Sequence, residues 1–186
     1  MAAPYYHRAQ ALAAAAAYAA TIPAANWTIN HWGDVQFPGG PHTIPVGFGL
    51  SAPSGVLFIG LALVARDALQ HAAGKLWTLA AIAVGCALSA LVSPDIAIAS
   101  AVAFGLGEIA DFAVYTPLHR RNLTAAVLAS GAVGAVIDSL VFLQLAFGST
   151  AYWQGNTVGK LWMSVAAIPV IWAVRAVSQR LDTRPA

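Results

Sequence analysis

The sequence predicts an all-α integral membrane protein with six transmembrane helices, cytoplasmic N- and C-termini, and a short extracytoplasmic hairpin between helices 1 and 2. Three observations support this prediction: the composition, the length of the apolar runs and the positions of the basic residues. Of the 186 residues, 59% are hydrophobic and only 9% are charged, whereas a soluble domain carries about 25% charged residues. The mean hydropathy is +0.71. We therefore expect a single six-helix transmembrane domain over residues 1–186.

Six apolar runs each approach the roughly 20 residues that a helix needs to cross a bilayer. With approximate ends, they cover residues 8–30, 53–73, 75–92, 96–115, 123–147 and 156–177. The Ala-rich first run is also compatible with a cleaved signal peptide, but it continues through Asn26 and Asn30, which favours a span. Between the first two runs, VQF and TIPVGF lie among prolines and glycines, a pattern typical of a hairpin.

The basic residues at the chain ends and in the short connections lie on one side of the predicted bilayer. They occur at the two termini, between runs two and three, and between runs four and five: Arg8, Lys75, Arg120, Arg121, Arg180 and Arg184. The other connections contain only Asp34 and Asp95 as charged residues. The positive-inside rule therefore places both termini in the cytoplasm.

Carboxylates lie inside three of the predicted spans. Glu108 and Asp111 are one helical turn apart in the inner half of the fourth span, and Asp138 is near the middle of the fifth. Asp67 lies near the inner end of the second span. Ionisable residues are costly inside a membrane and commonly mark a substrate or ion path. We therefore predict that these residues belong to a binding site.

Cations lie at matching depths. Arg66 lies near the inner end of the second span, at a level similar to that of Glu108 and Asp111. Lys160 lies in the outer third of the sixth span, near the level of Asp138. We predict that Arg66 pairs with an acid of the fourth span and Lys160 with Asp138. Two structural alternatives stay open: the pairs hold helices together without a ligand, or Arg66 extends to the inner headgroups.

Aromatic, amide and glycine residues extend this candidate site. Asn26 and Trp27 are near the outer end of the first span, and Trp162 follows Lys160 in the sixth. A Trp ring there either stacks on a planar ligand or faces lipid. Four glycines either allow close helix packing or leave space for a flat ligand: Gly105, Gly107, Gly131 and Gly134.

Several function classes lack a motif in this chain. Neither Gly74-Lys75 nor Gly159-Lys160 belongs to a phosphate-binding loop, and no metalloprotease helix, nucleophile elbow or channel filter occurs. The single cysteine, Cys86, cannot form an intrachain disulfide. We predict no catalytic residue, metal or cofactor, and no nucleic-acid partner.

The motifs of the spans resemble the VUT family of bacterial queuosine precursor transporters, six-span proteins implicated in uptake of 7-cyano-7-deazaguanine (preQ0) and related 7-deazapurines. In chain order they are A-N-W at Asn26, R-D with a following Gly74, G-E-I-A-D-F-x-V-Y at Glu108, V-I-D-S-L-x-F at Asp138 and G-K-L at Lys160. The likeness covers nearly the whole chain. Family members often have Thr-Asp at positions 66–67, and some have Gln at position 108.

The resemblance implies a transporter, not an enzyme, in the bacterial inner (plasma) membrane, and a flat substrate read along its edge. A carboxylate can accept hydrogen bonds from the ring N1–H and the exocyclic amine together. Glu108 is the first choice for this role, with Asp111 or Asp138 as competitors, and Asn26 or Lys160 would donate to the keto oxygen or nitrile. No energising ATPase partner is evident, and small-residue faces permit a homodimer.

Two rival functions stay open at this stage. One is uptake of another small heterocycle, such as a vitamin, by a transporter or a binding subunit. The other is a structural membrane protein whose charges bridge helices. The sequence also leaves open whether transport is coupled to protons.

Overall fold

The computed structural model describes residues 3–35, 38–118 and 123–182, and most of them are helical. The helices and strands follow in chain order: α1 (Ala3–His31), β1 (Asp34–Val35), β2 (His42–Gly47), β3 (Leu50–Pro53), α2 (Leu57–Ala73), α3 (Lys75–Val92), α4 (Pro94–Leu118), α5 (Leu123–Phe147) and α6 (Trp153–Asp182). A 3₁₀ turn, Ser54–Val56, links β3 to α2.

The bounds of α2 are set by a proline before it and a glycine after it. The N–H of Gly74 donates to the carbonyl of Gln70 at 3.0 Å and closes α2. Its φ of +82° lies in a region that side-chain-bearing residues rarely adopt, so a glycine lets the chain turn directly into α3. The second apolar run begins its helix at Leu57, four residues later than predicted, because Pro53 ends a strand and the 3₁₀ turn follows.

The connection between α1 and α2 is a three-stranded antiparallel sheet in the order β1-β2-β3. Thr43 pairs with Asp34 on one side and with Pro53 on the other. The predicted hairpin is therefore present, and most of the TIPVGF segment lies in β2. The prediction was incomplete, because it left out the third strand, LSAP. Residues 36 and 37 of VQF lie outside the described residues.

The helices form two groups that face each other. One group contains α1, which packs against α2 and α3, together with α2, which also packs against α6. The other is the α4–α5 hairpin, whose two helices pack closely. A Cβ atom added to Gly107 would lie 3.1 Å from the carbonyl oxygen of Gly134, so the missing side chains allow the two backbones to approach.

The exposed and buried residues are arranged as expected for a bilayer environment. Large apolar side chains project outward, among them Leu76, Leu91 and Trp172, which are 81%, 83% and 71% exposed. Small polar residues such as Ser89 and Ser139 are fully buried. A water-soluble fold has the opposite tendency.

Within the described residues, three helices are long and apolar enough to span a membrane: Pro94–Leu118, Ala129–Phe147 and Trp153–Val174. Leu76–Val92 forms a shorter apolar helix. The prediction of a helical membrane protein is therefore confirmed, and these three helices account for the fourth, fifth and sixth predicted spans.

Candidate functional site

A cavity of about 400 Å³ lies between the two helix groups, and we call it the central cavity. Five helices line it, all except α3: Tyr18 from α1, Ile59, Ala62, Leu63 and Arg66 from α2, Phe104, Gly107 and Asp111 from α4, Gly131, Gly134, Ala135 and Asp138 from α5, and Lys160 and Ser164 from α6. Its volume falls within the range of about 300–1,000 Å³ that is typical of small-molecule sites.

Helical periodicity explains why these residues meet. The lining residues of α5 lie three, four and seven positions after Gly131, the last being Asp138, which places them on one helix face. On α4, Phe104 and Asp111 are seven residues apart and bracket Gly107 on a similar stripe. The helices α4 and α5 pack closely at Gly107 and Gly134. Asp111 of α4 and Asp138 of α5 therefore both lie in the cavity wall.

Asp138 and Lys160 form an ion pair between α5 and α6. Their side chains are only 25% and 18% exposed, respectively. Lys160 is also held on its own helix, where the Ser164 hydroxyl donates to the Lys160 carbonyl at 2.8 Å. The predicted pairing of Lys160 with Asp138 is therefore confirmed.

Arg66 and Asp111 line the same cavity from α2 and α4. Among the side chains that the structure describes, no ion pair joins these two residues. Asp111 lies against the α5 backbone, since a Cβ on Gly134 would be 3.2 Å from the Asp111 Cβ. Among the described side chains, the central cavity thus contains one paired set of opposite charges, Asp138 with Lys160, and one set without an ion pair, Arg66 with Asp111. Of the two partners predicted for Arg66, Asp111 is not paired with it, and pairing with Glu108 stays a prediction because the Glu108 side chain lies outside the described residues.

A second cavity, of about 210 Å³, lies toward the β-sheet, and we call it the sheet-side cavity. Its wall shares Ile59, Asp138 and Lys160 with the central cavity. It also contains Asn26 and Asn156. The Asp138–Lys160 pair therefore lies where the two cavities meet.

Asn26 and Trp27 are adjacent in sequence but lie in different environments. Asn26 is 3% exposed, and its Nδ2 donates to the Oγ of Ser89, which ties α1 to α3. Trp27 is 53% exposed, stacks on His31 and belongs to the lining of neither cavity. Contact of Trp27 with a ligand stays a prediction. Its exposure agrees with the alternative in which the ring faces lipid, because helical rotation points the residue after Asn26 outward. Trp162 is likewise on the surface, 49% exposed.

The backbones of Glu108 and Asp67 belong to α4 and α2. Their side chains lie outside the part of the chain that the structure describes, so their roles stay predictions.

The four glycines divide between the two predicted roles. Gly107 and Gly134 provide the close approach of α4 to α5. A Cβ added to Gly105 or Gly131 would meet nothing within 4 Å, and only Gly131 of these two lines the central cavity. Gly131 thus leaves space inside the site.

Sequence reasoning missed several lining residues, and three of them add aromatic or amide groups to the cavity walls. Tyr18 and Phe104 supply the aromatic surface of the central cavity, where the prediction had placed tryptophans. Asn156 lines the sheet-side cavity. It precedes Lys160 by four residues on α6, and this one-turn spacing of polar residues was a signal that could have indicated a shared face.

These features define a helical membrane protein with a charged cavity among its helices, the arrangement expected of a small-molecule transporter. Residues 87–177 match the family model described as "Putative vitamin uptake transporter". The matched region contains α4, α5 and most of α6, and with them Asp111, Asp138 and Lys160. The match supports the resemblance to the VUT family and a transporter class. A search of curated proteins and a search of solved structures each return no match.

Proposed function

We propose that this protein imports a queuosine precursor, 7-cyano-7-deazaguanine or a related 7-deazapurine, across the bacterial inner membrane. The observation that carries the proposal is the central cavity of about 400 Å³ with Asp111, Asp138 and Lys160 in its wall. The similarity of residues 87–177 to a vitamin uptake transporter family supports the transport class.

The chemistry of the cavity wall suits a flat, neutral, hydrogen-bonding ring. A carboxylate accepts two parallel hydrogen bonds from the ring N1–H and the exocyclic amine of a deazaguanine. Asp111 is well placed for this contact, because its carboxylate lines the cavity and forms no ion pair with Arg66. Glu108 on the same helix is the alternative acceptor for these two hydrogen bonds. Tyr18 and Phe104 provide aromatic faces against which the ring can lie.

The ion pair supplies a barrier on the proposed path. Asp138 and Lys160 border both cavities, so a substrate that moves from one cavity to the other passes between α5 and α6 at this pair. Separation of the pair, compensated by contacts with the substrate, would open the path. Alternating access then corresponds to motion of the α4–α5 hairpin relative to α1, α2 and α6.

We further propose that all six helices cross the membrane, with both termini in the cytoplasm. The basic residues in the connections and termini support this orientation. In this topology the β-sheet and the sheet-side cavity face outward, so the sheet-side cavity is the one that substrate reaches first.

A vitamin is the second candidate substrate, because the matched family model carries that description. The structural alternative, in which the charges only bridge helices, predicts no uptake of any ligand. All three functions share the same residues, so uptake measurements must separate them.

The test is uptake of 7-cyano-7-deazaguanine, detected by mass spectrometry, into bacterial cells that cannot synthesise it and carry this chain on a plasmid. We expect accumulation above empty-vector cells, and its loss in Asp111→Asn and Asp138→Asn variants that are present in the membrane at normal levels. Uptake of riboflavin or thiamine without uptake of the deazapurine would favour the vitamin function. Full uptake by both variants would refute the proposed site.

A further inference from the structure

The sheet-side cavity contains a buried hydrogen-bond donor without a partner. Asn156 is 2% exposed and lines this cavity. Its Nδ2 atom makes no hydrogen bond to any part of the chain that the structure describes. A buried amide donor without a partner is destabilising, and an orphaned group of this kind often indicates a functional role.

The backbone around Asn156 is held on both sides, so the orphaned amide does not reflect a loose segment. The Asn156 N–H donates to the Tyr152 carbonyl at 2.8 Å. The next residue, Thr157, donates to Ser139 of α5 at 3.1 Å. The residue before it, Gly155, lies against the backbone of Ser51 in β3 with no room for a side chain. The fold thus fixes the backbone at Asn156.

The other strong donors in the same wall already have partners. Asn26 donates through its Nδ2 to Ser89, and Lys160 is paired with Asp138. These two were the donors expected to reach a substrate carbonyl. Asn156 differs from both, because its Nδ2 has no partner among the described residues.

The rest of the sheet-side cavity sets the shape of its occupant. Ile29, Val56, Ile59 and Phe142 give it apolar walls. Its volume of about 210 Å³ is below the roughly 300–1,000 Å³ typical of drug-sized ligands. A ring system of nucleobase size, apolar on its faces and with an acceptor atom at its edge, fits both features.

We propose that the sheet-side cavity is a second binding site on the transport path, in which a rotation of the Asn156 side chain brings the buried Nδ2 to the cavity, where it donates a hydrogen bond to a carbonyl oxygen of a flat heterocycle. The inference rests on the proposed uptake function. It adds a specificity-determining residue, because a ring without the carbonyl leaves the buried donor unpaired and is rejected.

The experiment measures binding by isothermal titration calorimetry to the full-length protein in detergent. The ligands are 7-cyano-7-deazaguanine and its analogue that has hydrogen in place of the 6-oxo group. We expect Asn156→Ala and Asn156→Asp to bind the oxo ligand about tenfold more weakly than the unmodified protein, the effect of one lost hydrogen bond. Affinity for the analogue should stay the same in both variants, so that the selectivity for the oxo ligand falls about tenfold. The analogue also lacks the N1–H, and the part of the selectivity that depends on this group should remain.

Thr157→Val is the matched control, since it removes a neighbouring hydroxyl that is bonded within the protein and lies outside both cavity linings. Its selectivity should equal that of the unmodified protein. The melting temperature of the ligand-free protein provides a second measurement: Asn156→Ala should lower it only slightly, through the small cavity that the truncation leaves, because the amide has no hydrogen bond to lose. Unchanged selectivity in both Asn156 variants, or an equal loss of both ligands, would overturn the inference.

A second ligand pair separates this inference from the proposed substrate. Riboflavin carries ring carbonyls and thiamine carries none. Binding of riboflavin but not of the deazapurine, with riboflavin affinity reduced about tenfold by Asn156→Ala, would reject the deazapurine and support Asn156 as the carbonyl donor. Absence of binding by all four ligands would reject both proposals.

Discussion

Two sets of opposite charges among the described residues line the central cavity, and only one of them forms an ion pair. Asp138 and Lys160 form an ion pair between neighbouring helices. Arg66 and Asp111 border the same cavity from opposite helix groups and form no ion pair with each other in the part of the chain that the structure describes. The first set joins α5 to α6 across a packed interface, whereas the second set lines the cavity from α2 and α4 without an ion pair between the two residues.

This difference indicates two roles for intramembrane charge. A closed pair joins two helices and, on the proposed transport path, would block passage. Separated charges leave hydrogen-bonding capacity for a substrate, at a cost that the cavity reduces if water enters it. We therefore expect mutations of the first set to affect both stability and uptake, and mutations of Asp111 to affect uptake alone.

The largest effect is expected from Lys160→Met. It leaves the Asp138 carboxylate without a counterion at a site where its side chain is 25% exposed. The free energy of unfolding should fall by about 3 kcal/mol, the lower end of the range for a broken buried pair, and uptake should be lost. Denaturation of the purified protein in detergent measures the first quantity.

The double variant Asp138→Asn/Lys160→Gln separates stability from transport. It removes both charges, so most of the lost stability should return, while uptake stays absent because the charged gate is gone. Recovery of uptake together with stability would mean that the pair is only structural.

Asp111→Asn should change ligand affinity without changing stability. Loss of a charge-assisted hydrogen bond costs about 1.5–3 kcal/mol, which corresponds to about 10- to 100-fold weaker binding of 7-cyano-7-deazaguanine. Asp95→Asn is the control: it is the same substitution on α4, in the exposed first turn and outside both cavity linings, and uptake should be unaffected. A lower melting temperature with unchanged affinity would assign Asp111 to the structure rather than to the site.

The smallest effect in this series is steric. Gly131→Leu should weaken binding about tenfold, because overfilling a site costs about 1–3 kcal/mol and an added side chain enters the cavity. Gly105→Leu is the matched control, since an added Cβ is equally unhindered there but Gly105 does not line the cavity. Equal uptake by the two variants, measured at equal membrane levels, would exclude the central cavity from the substrate path.

Much of the fold was predictable from local sequence. The ends of α3 and α5 agree with the predicted runs, because bilayer-length apolar segments and their bounding turns are local properties. The pairing of Lys160 with Asp138 was also predictable, since helix alternation alone brings them to similar depths. The third strand was missed, because pairing of Leu50–Pro53 with β2 depends on a turn at Gly47, Phe48 and Gly49 rather than on alternating apolar residues.

The sequence by itself determined that this is a helical membrane protein, which residues form its helices, and which charges lie within them. Depth along the bilayer follows from helix rise and chain direction, and both can be counted from the sequence. Only the tertiary structure decided which of those residues face a cavity. Asn26 and Trp27 are neighbours in sequence, yet Asn26 is buried and Trp27 projects outward. Which side of a helix faces the interior is decided only by the positions of the neighbouring helices. The same reason explains why Asn156, unremarked in the sequence, proved to carry the orphaned donor.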